Sequence, residues 1–309
     1  MSNARSQPVD VIKPSTVRTE PRFQIRDYAL LLKPRVMSLV VFTALVGMLL
    51  APAHIDALTG LAAILCIALG AGASGAINMW YDRDIDRDMA RTMNRPLPAG
   101  RMQPRAALMY GATLAVGSVA AMTYLVNIVA AGLLALTIAY YVFFYTMWLK
   151  RRTPQNIVIG GAAGALPPLI GWASASGSVG LGAICLFAII FLWTPPHSWA
   201  LALFRRGDYE NAGVPMMPVV AGERSTRIQM LAYTLVLIPV TLSPVAVGMS
   251  GALYGAAAVV LGGLFLRHAV KVWRDSDPAV ARSMFLFSIL YLFLIFVALL
   301  ADRALAALL

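Results

Sequence analysis

Asn78, Asp82 and Asp86 recur every four residues, where a long apolar run gives way to charge. Four residues is slightly more than one helical turn, so the three side chains stack along one helix face. Three oxygen-bearing side chains in such a row form a claw for a hard divalent cation. Magnesium suits it, because it takes few protein carboxylates and fills its other positions with water and substrate phosphate. An acidic ladder at the mouth of a membrane-embedded helix is costly to keep unless something binds it. The combination points to an enzyme working on a lipid diphosphate. A calcium loop is excluded: counting from Asp82, Arg87 stands where that loop needs glycine and Met93 where it needs glutamate. A merely solvated helix end would not need Asn78, a polar amide one turn deeper in the same row.

Basic residues surround the row. Arg83, Arg87, Arg91 and Arg95 follow at four-residue spacing, and guanidinium groups grip phosphate oxygens in bidentate fashion. Arg87, Arg91 and Arg95 are candidate diphosphate ligands, as are Lys150 and Arg152 in the turn Lys150-Arg-Arg-Thr-Pro-Gln-Asn156. Asn156, heading into an apolar span, belongs with them, and so do Lys33 and Arg35 just before the first span. Further on, Trp193-Thr-Pro-Pro-His197 puts a proline pair inside an apolar run. That pair is expected to break the helix and free backbone carbonyls that only a cavity or protein neighbours can satisfy. His197 beside such a break is a candidate ligand or substrate contact. Asp208 follows at the end of the sixth span, as Asp82 ends the second. Two even-numbered spans finishing in acid suggest a duplicated unit whose acidic ends face one cavity.

The elements that must position these residues are membrane helices. The 309 residues are 60% hydrophobic and only 13% charged, with a mean hydropathy of +0.74, whereas soluble domains average about a quarter charged. Nine apolar stretches approach the roughly 20 residues that span a bilayer: 36–55, 57–80, 105–125, 127–149, 156–175, 178–200, 228–248, 251–270 and 284–306. Alternating them places every one of the 25 lysines and arginines except Arg303 on one side or at the adjoining helix ends. The positive-inside rule makes that side cytoplasmic. The net charge of +11 is therefore a topology signal and not a sign of nucleic acid. Cys66 and Cys185 both lie in apolar runs and offer neither a disulfide framework nor ligand spacing. The fold class expected is an all-α integral membrane protein, nine helices around a central cavity opening near the cytoplasmic face. Residues 1–35 read as a cytoplasmic tail and 36–309 as a single polytopic domain. The tail lacks the look of a signal peptide or mitochondrial presequence. That assigns the chain to a bacterial cytoplasmic (inner) membrane, with its N-terminus cytoplasmic and its C-terminus periplasmic.

Together these residues resemble the UbiA-type intramembrane prenyltransferases, whose hallmark Asn-x-x-x-Asp-x-x-x-Asp is matched by Asn78, Asp82 and Asp86. Within that superfamily the chain is similar to the protohaem IX farnesyltransferase (haem O synthase) branch. The similarity runs through Lys33-Pro-Arg35, Arg95-Pro-Leu-Pro98, Gly164-Ala-Leu-Pro-Pro-Leu-Ile-Gly-Trp172, Trp193-Thr-Pro-Pro-His197 and Asp208-Tyr-x-x-Ala-Gly-Val-Pro-Met-x-Pro218. The second acid pair usual in the superfamily is reduced here to Asp208, with Phe204 and Ala212 at the neighbouring four-residue positions. The resemblance implies farnesyl transfer from farnesyl diphosphate to a vinyl group of haem B, giving haem O. It also implies Mg2+ on Asn78, Asp82, Asp86 and Asp208, and haem contacts at His197 and Trp193. A downstream haem-modifying enzyme is a partner that such a product implies. An aromatic quinone precursor as acceptor is the alternative. A transporter would not need the claw beside an arginine series. A haem redox protein would pair axial histidines, which His54 and His268 do not obviously offer His197.

Overall fold

A computed structural model describes residues 24–308, and every regular element among them is helical. The expected tail lies outside the described residues as far as residue 23. Its final part is helix α1 (Ile25–Leu31), which turns by 52° into α2 (Pro34–Leu50). Leu31 is buried, and buried Asp27 accepts 3.1–3.2 Å bonds from Arg101, so this segment docks on the bundle and does not trail from it. Lys33, at the turn, has φ 51° and ψ 55°, a left-handed conformation that a non-glycine residue holds only when its surroundings impose it.

The remaining elements follow in sequence order. They are α3 (Ala57–Tyr81), α4 (Pro104–Leu125), α5 (Ile128–Ala139), α6 (Asn156–Ala165), α7 (Pro167–Ser176) and α8 (Leu181–Phe204). Short α9 (Arg206–Asn211) and α10 (Met217–Val220) precede α11 (Gly222–Thr241), α12 (Ser243–Ala246), α13 (Ala252–Arg274) and α14 (Pro278–Leu308). Helix α5 runs on as a π-helical stretch, Tyr140–Leu149. Among the described residues, eight helices are long and apolar enough to cross a bilayer, α6–α7 and α11–α12 each counting once. The bent α1–α2 pair brings the number to as many as nine, in line with the nine spans expected. The chain is a multi-pass membrane protein.

Helix α3 illustrates why such a sequence folds inside out relative to a soluble one. Leu58, Leu61, Leu65 and Leu69 lie exposed along one stripe, while Gly60, Ala63, Gly70, Ser74 and Asn78 are buried. Lipid tails solvate leucine as well as a protein core does, so small residues go inward where backbones approach closely. The tightest approach is α2 on α7. A Cβ at Gly171 would run into the Ala44 carbonyl, and one at Gly47 into the Pro168 carbonyl.

The break expected at Pro195-Pro196 is not there. Helix α8 runs unbroken with both prolines buried inside it. Each proline removes one N–H donor and crowds the carbonyl a turn earlier, and packing of α8 between α6, α11 and α14 holds the helix together. The interruption falls one helix earlier, at Leu166, where Pro167-Pro168 opens α7. At the charged end of the bundle, Ile85 and Met89 pack with Tyr209, Val214 and Met216. This apolar cluster joins the loop after α3 to the loop after α8.

Candidate active site

The predicted row survives although α3 ends at Tyr81. Asp82 N bonds Asn78 O and Asp86 N bonds Asp82 O, both at 2.9 Å, so the four-residue hydrogen-bond step continues past the helix end. Asn78, Asp82 and Asp86 are all buried. Buried charge must be paired, and each member is. Asn78 Nδ2 donates to Asp82 Oδ2 at 2.7 Å and to Thr146 Oγ1 at 3.2 Å, while its Oδ1 accepts from Lys33 Nζ at 2.8 Å. Lys150 Nζ donates to Asp82 Oδ2, and Arg151 reaches the other oxygen at 3.5 Å. Asp86 Oδ2 accepts from Arg95 at 2.6 Å, and its backbone carbonyl accepts from Thr92 Oγ1. The left-handed turn at Lys33 is thus what brings its ammonium onto the row.

These groups close one end of a cavity of about 340 Å³. Lys33, Asn78, Asp86, Arg91, Arg95 and Lys150 line its polar end, and Val36, Val40, Ala71, Tyr141 and Pro167 its apolar part. Asp82 lies beneath Lys150, fully buried. Asp208 sits on α9, with one carboxylate oxygen buried and unpartnered. Its neighbour Tyr209, and not Asp208 itself, lines the cavity. Among the described residues no three acidic, histidine or cysteine side chains converge as a ready metal site.

Other predicted residues fall elsewhere. Arg87 is exposed and lines neither this cavity nor the next, because it follows Asp86 on a tight 3-10 turn that rotates it off the row. Arg152 is likewise exposed. The adjacent Arg151 takes the acid contacts, bonding both Asp84 oxygens at 2.7 Å and holding that carboxyl down at about 2. Asn156 is fully buried, its Nδ2 bonded to Thr153 O at 2.6 Å and its Oδ1 unpartnered.

Arg35 lines a second cavity, of about 690 Å³, with Phe42, Trp193, His197, Phe285 and Phe293. Val36, Val40, Tyr141, Tyr145, Ile157 and Gly164 line both cavities. The two therefore share a wall. Trp193 and His197, one turn apart on α8, stack with ring centroids 4.2 Å apart.

Sequence reading missed several of these residues. Thr146, Tyr141 and Tyr145 lie on the π-helical stretch, where the backbone bonds one residue further back, as in Lys150 N to Tyr145 O at 2.9 Å. Tyr141 and Tyr145, spaced by four just before the basic turn, were the available signal. Arg151 was hidden between two other cations, and Asp84 stands off the row.

A family model described as the UbiA prenyltransferase family matches residues 40–300. A protein of Parvibaculum lavamentivorans named protoheme IX farnesyltransferase is 60% identical over 284 residues, covering 91% of this chain and 89% of that protein. A UbiA homologue of Aeropyrum pernix K1 has the same fold, with a TM-score of 0.70 at 21% identity, over 87% of this chain and 98% of that one. A UbiA homologue of Archaeoglobus fulgidus bound to GPP and Mg2+ aligns with a TM-score of 0.61 at 16% identity, over 88% and 99% of the two chains.

Proposed function

The chain belongs to the UbiA prenyltransferase family, and from that premise we propose that it transfers a farnesyl group from farnesyl diphosphate to a vinyl group of haem B, giving haem O. The observation that carries this reading is the pair of cavities sharing one wall, the first ending in Asp86 and cations above buried Asp82, the second largely apolar with His197 in it. The first suits a prenyl diphosphate, headgroup at the charged end. The second suits a flat apolar acceptor, and the identity with the Parvibaculum protein favours haem over a quinone precursor.

The oxygen donors fit Mg2+. Two buried carboxylates and an amide lie in one row, and α9 carries a further donor, the buried, unpartnered Asp208 oxygen. Asn78, Asp82, Asp86 and Asp208 would hold it, and bound there it neutralises charge on the departing diphosphate. Lys33, Arg91, Arg95 and Lys150 bind the remaining phosphate oxygens. The farnesyl C1–O bond breaks with its electron pair leaving on pyrophosphate, while the apolar walls keep water from the allylic cation. The vinyl π electrons form the new bond to C1. Water captures the resulting benzylic-type cation as a hydroxyl and gives up one proton. Haem B, farnesyl diphosphate and water thereby become haem O and pyrophosphate.

By the positive-inside rule this reading puts the charged end at the cytoplasmic face of a bacterial inner membrane, with the N-terminus inside and the C-terminus periplasmic. Haem O, an apolar product, then passes to a downstream haem-modifying enzyme. Purified protein given farnesyl diphosphate, haem B and a competing aromatic acid should yield haem O alone by mass spectrometry, in a reaction stopped by EDTA and restored by Mg2+. Prenylation of the aromatic acid in preference to haem would refute the assignment.

A further inference from the structure

His197 is held on three sides and open on the fourth. Trp193 stacks on it at 4.2 Å and 16°, and Phe285 at 4.7 Å and 24°. Its Nδ1 lies 2.6 Å from Ser288 Oγ, which itself lies 2.6 Å from the Phe285 carbonyl. The Ser288 hydroxyl has one proton for these two contacts. Given to the carbonyl, it leaves an oxygen lone pair to accept from an Nδ1–H, and both contacts are attractive. Given to the ring, it would force two oxygen lone pairs together at 2.6 Å. The proton count therefore places hydrogen on Nδ1 and leaves Nε2 with its lone pair. Trp193 Nε1 donates to the backbone carbonyl of the same Ser288 at 2.8 Å, so α14 fixes both rings through one fully buried residue.

Nε2 makes no hydrogen bond among the described residues, and the ring lines the second cavity. Three hydroxyls lining the same cavity are already engaged: those of Ser38, Thr43 and Thr194 bond the carbonyls of Arg35, Val40 and Ile190. A lone pair facing an apolar cavity is costly unless a ligand uses it. A neutral imidazole whose other nitrogen donates a hydrogen bond is the form that metal sites select, and that outer bond both orients the ring and raises its basicity. Arg35, which has no acidic partner among the described residues, lies on the same cavity and suits a carboxylate.

We propose that Ser288 locks His197 as the Nδ1–H tautomer so that Nε2 serves as an axial ligand to the iron of a bound porphyrin. This rests on the second cavity being the haem site, and it adds that the acceptor is anchored through its metal and positioned by Ser288. The test is titration of the detergent-purified protein with ferric haem, and separately with metal-free protoporphyrin IX, followed by absorption and electron paramagnetic resonance. The expected result is an imidazole-ligated iron spectrum that His197→Ala removes and added imidazole restores. Ser288→Ala should weaken haem binding about 10- to 100-fold while leaving metal-free porphyrin binding unchanged, and Ser288→Thr should bind haem as the native chain does. A native spectrum without an imidazole signature, one that persists in His197→Ala, or equal haem affinity in Ser288→Ala would overturn the proposal even if haem O is still made. Failure of both porphyrins to bind, with no haem O formed, would instead remove the functional reading beneath it.

Discussion

The sequence alone leads one to expect that Asp82→Ala abolishes turnover in an otherwise sound protein, but the structure makes Asp82 a hub of charge as well. Its fully buried carboxylate holds Lys150 and Arg151 and accepts from Asn78. Removing one partner of a buried pair costs about 3–5 kcal/mol, chiefly because the other charge is stranded. Here the low end applies, about 3 kcal/mol, since the Lys150 and Arg151 side chains keep 16% and 31% exposure and can relax toward solvent. Loss of a metal-ligating carboxylate should separately cost several kcal/mol in the transition state, and about 4 kcal/mol is roughly a thousandfold in rate. The two effects part company in the double variant Asp82→Ala with Lys150→Met. With no stranded ammonium, most of the lost stability should return, while turnover should not. Thermal unfolding in detergent and haem O formation measured on the same preparations supply both quantities. If activity returned together with stability, Asp82 would serve only to neutralise Lys150, and the metal assignment would fall.

Arg95→Met should raise the KM for farnesyl diphosphate about 10- to 100-fold with a smaller change in kcat, as expected for a group that binds ground and transition states alike; an unchanged KM would remove Arg95 from the headgroup site. Gly171→Ala should destabilise the fold by about 3 kcal/mol or more, because its methyl meets the Ala44 carbonyl of a packed helix, and a native unfolding temperature would contradict that close approach. Asp84 titrates at about 2, below its ordinary 3.8, so its bond to Arg151 contributes above pH 3.8 and fades as pH falls through about 2. The unfolding-temperature difference between native protein and Asp84→Asn should then stay flat from pH 5 to 8; being 60% exposed, the pair is worth no more than about 1 kcal/mol, and a difference growing across that window would refute the pairing.

What could be read from residues alone follows from what lipid does to a sequence pattern. Span lengths and the sidedness of charge are set by the bilayer itself, so the helices were legible, with ends up to about six residues off where charged or polar residues extend a helix beyond its apolar run. The row at 78, 82 and 86 was legible because polar groups are rare in such helices. Helix rotation was not: in α3 the leucines face outward and the glycines inward, and both faces are apolar. The Pro195-Pro196 pair misled because a proline's cost depends on neighbours that can hold the helix together. Lys33, Tyr141 and Ser288 reach their positions through a left-handed turn, a π-helical register and a contact 91 residues away in sequence; Lys33 stood out only as a cation before a span and Tyr141 only by its spacing from Tyr145, while Ser288 leaves no local pattern.

Both buried acids of the charged end are paired without any ligand, and that has a thermodynamic consequence. Asp82 and Asp86 are already paired with Lys150 and Arg95, the same cations that the diphosphate requires. A divalent cation arriving alone must draw the carboxylates away and strand two buried or half-buried positive groups. A diphosphate arriving alone must draw the cations away and strand two buried carboxylates. Arriving together, they exchange partners and leave nothing unpaired. Each should therefore tighten the other's binding, by the same factor in both directions, and couplings of this kind span roughly 5- to 150-fold. Calorimetric titration of Mg2+ with and without a non-hydrolysable farnesyl diphosphate analogue, then of the analogue with and without Mg2+, closes the cycle. Coupling should shrink toward unity in Lys150→Met, where the diphosphate no longer competes with Asp82 for that cation. Independent binding of the two in the native protein would mean that the ion pairs at Asp82 and Asp86 are permanent structure and not placeholders for substrate.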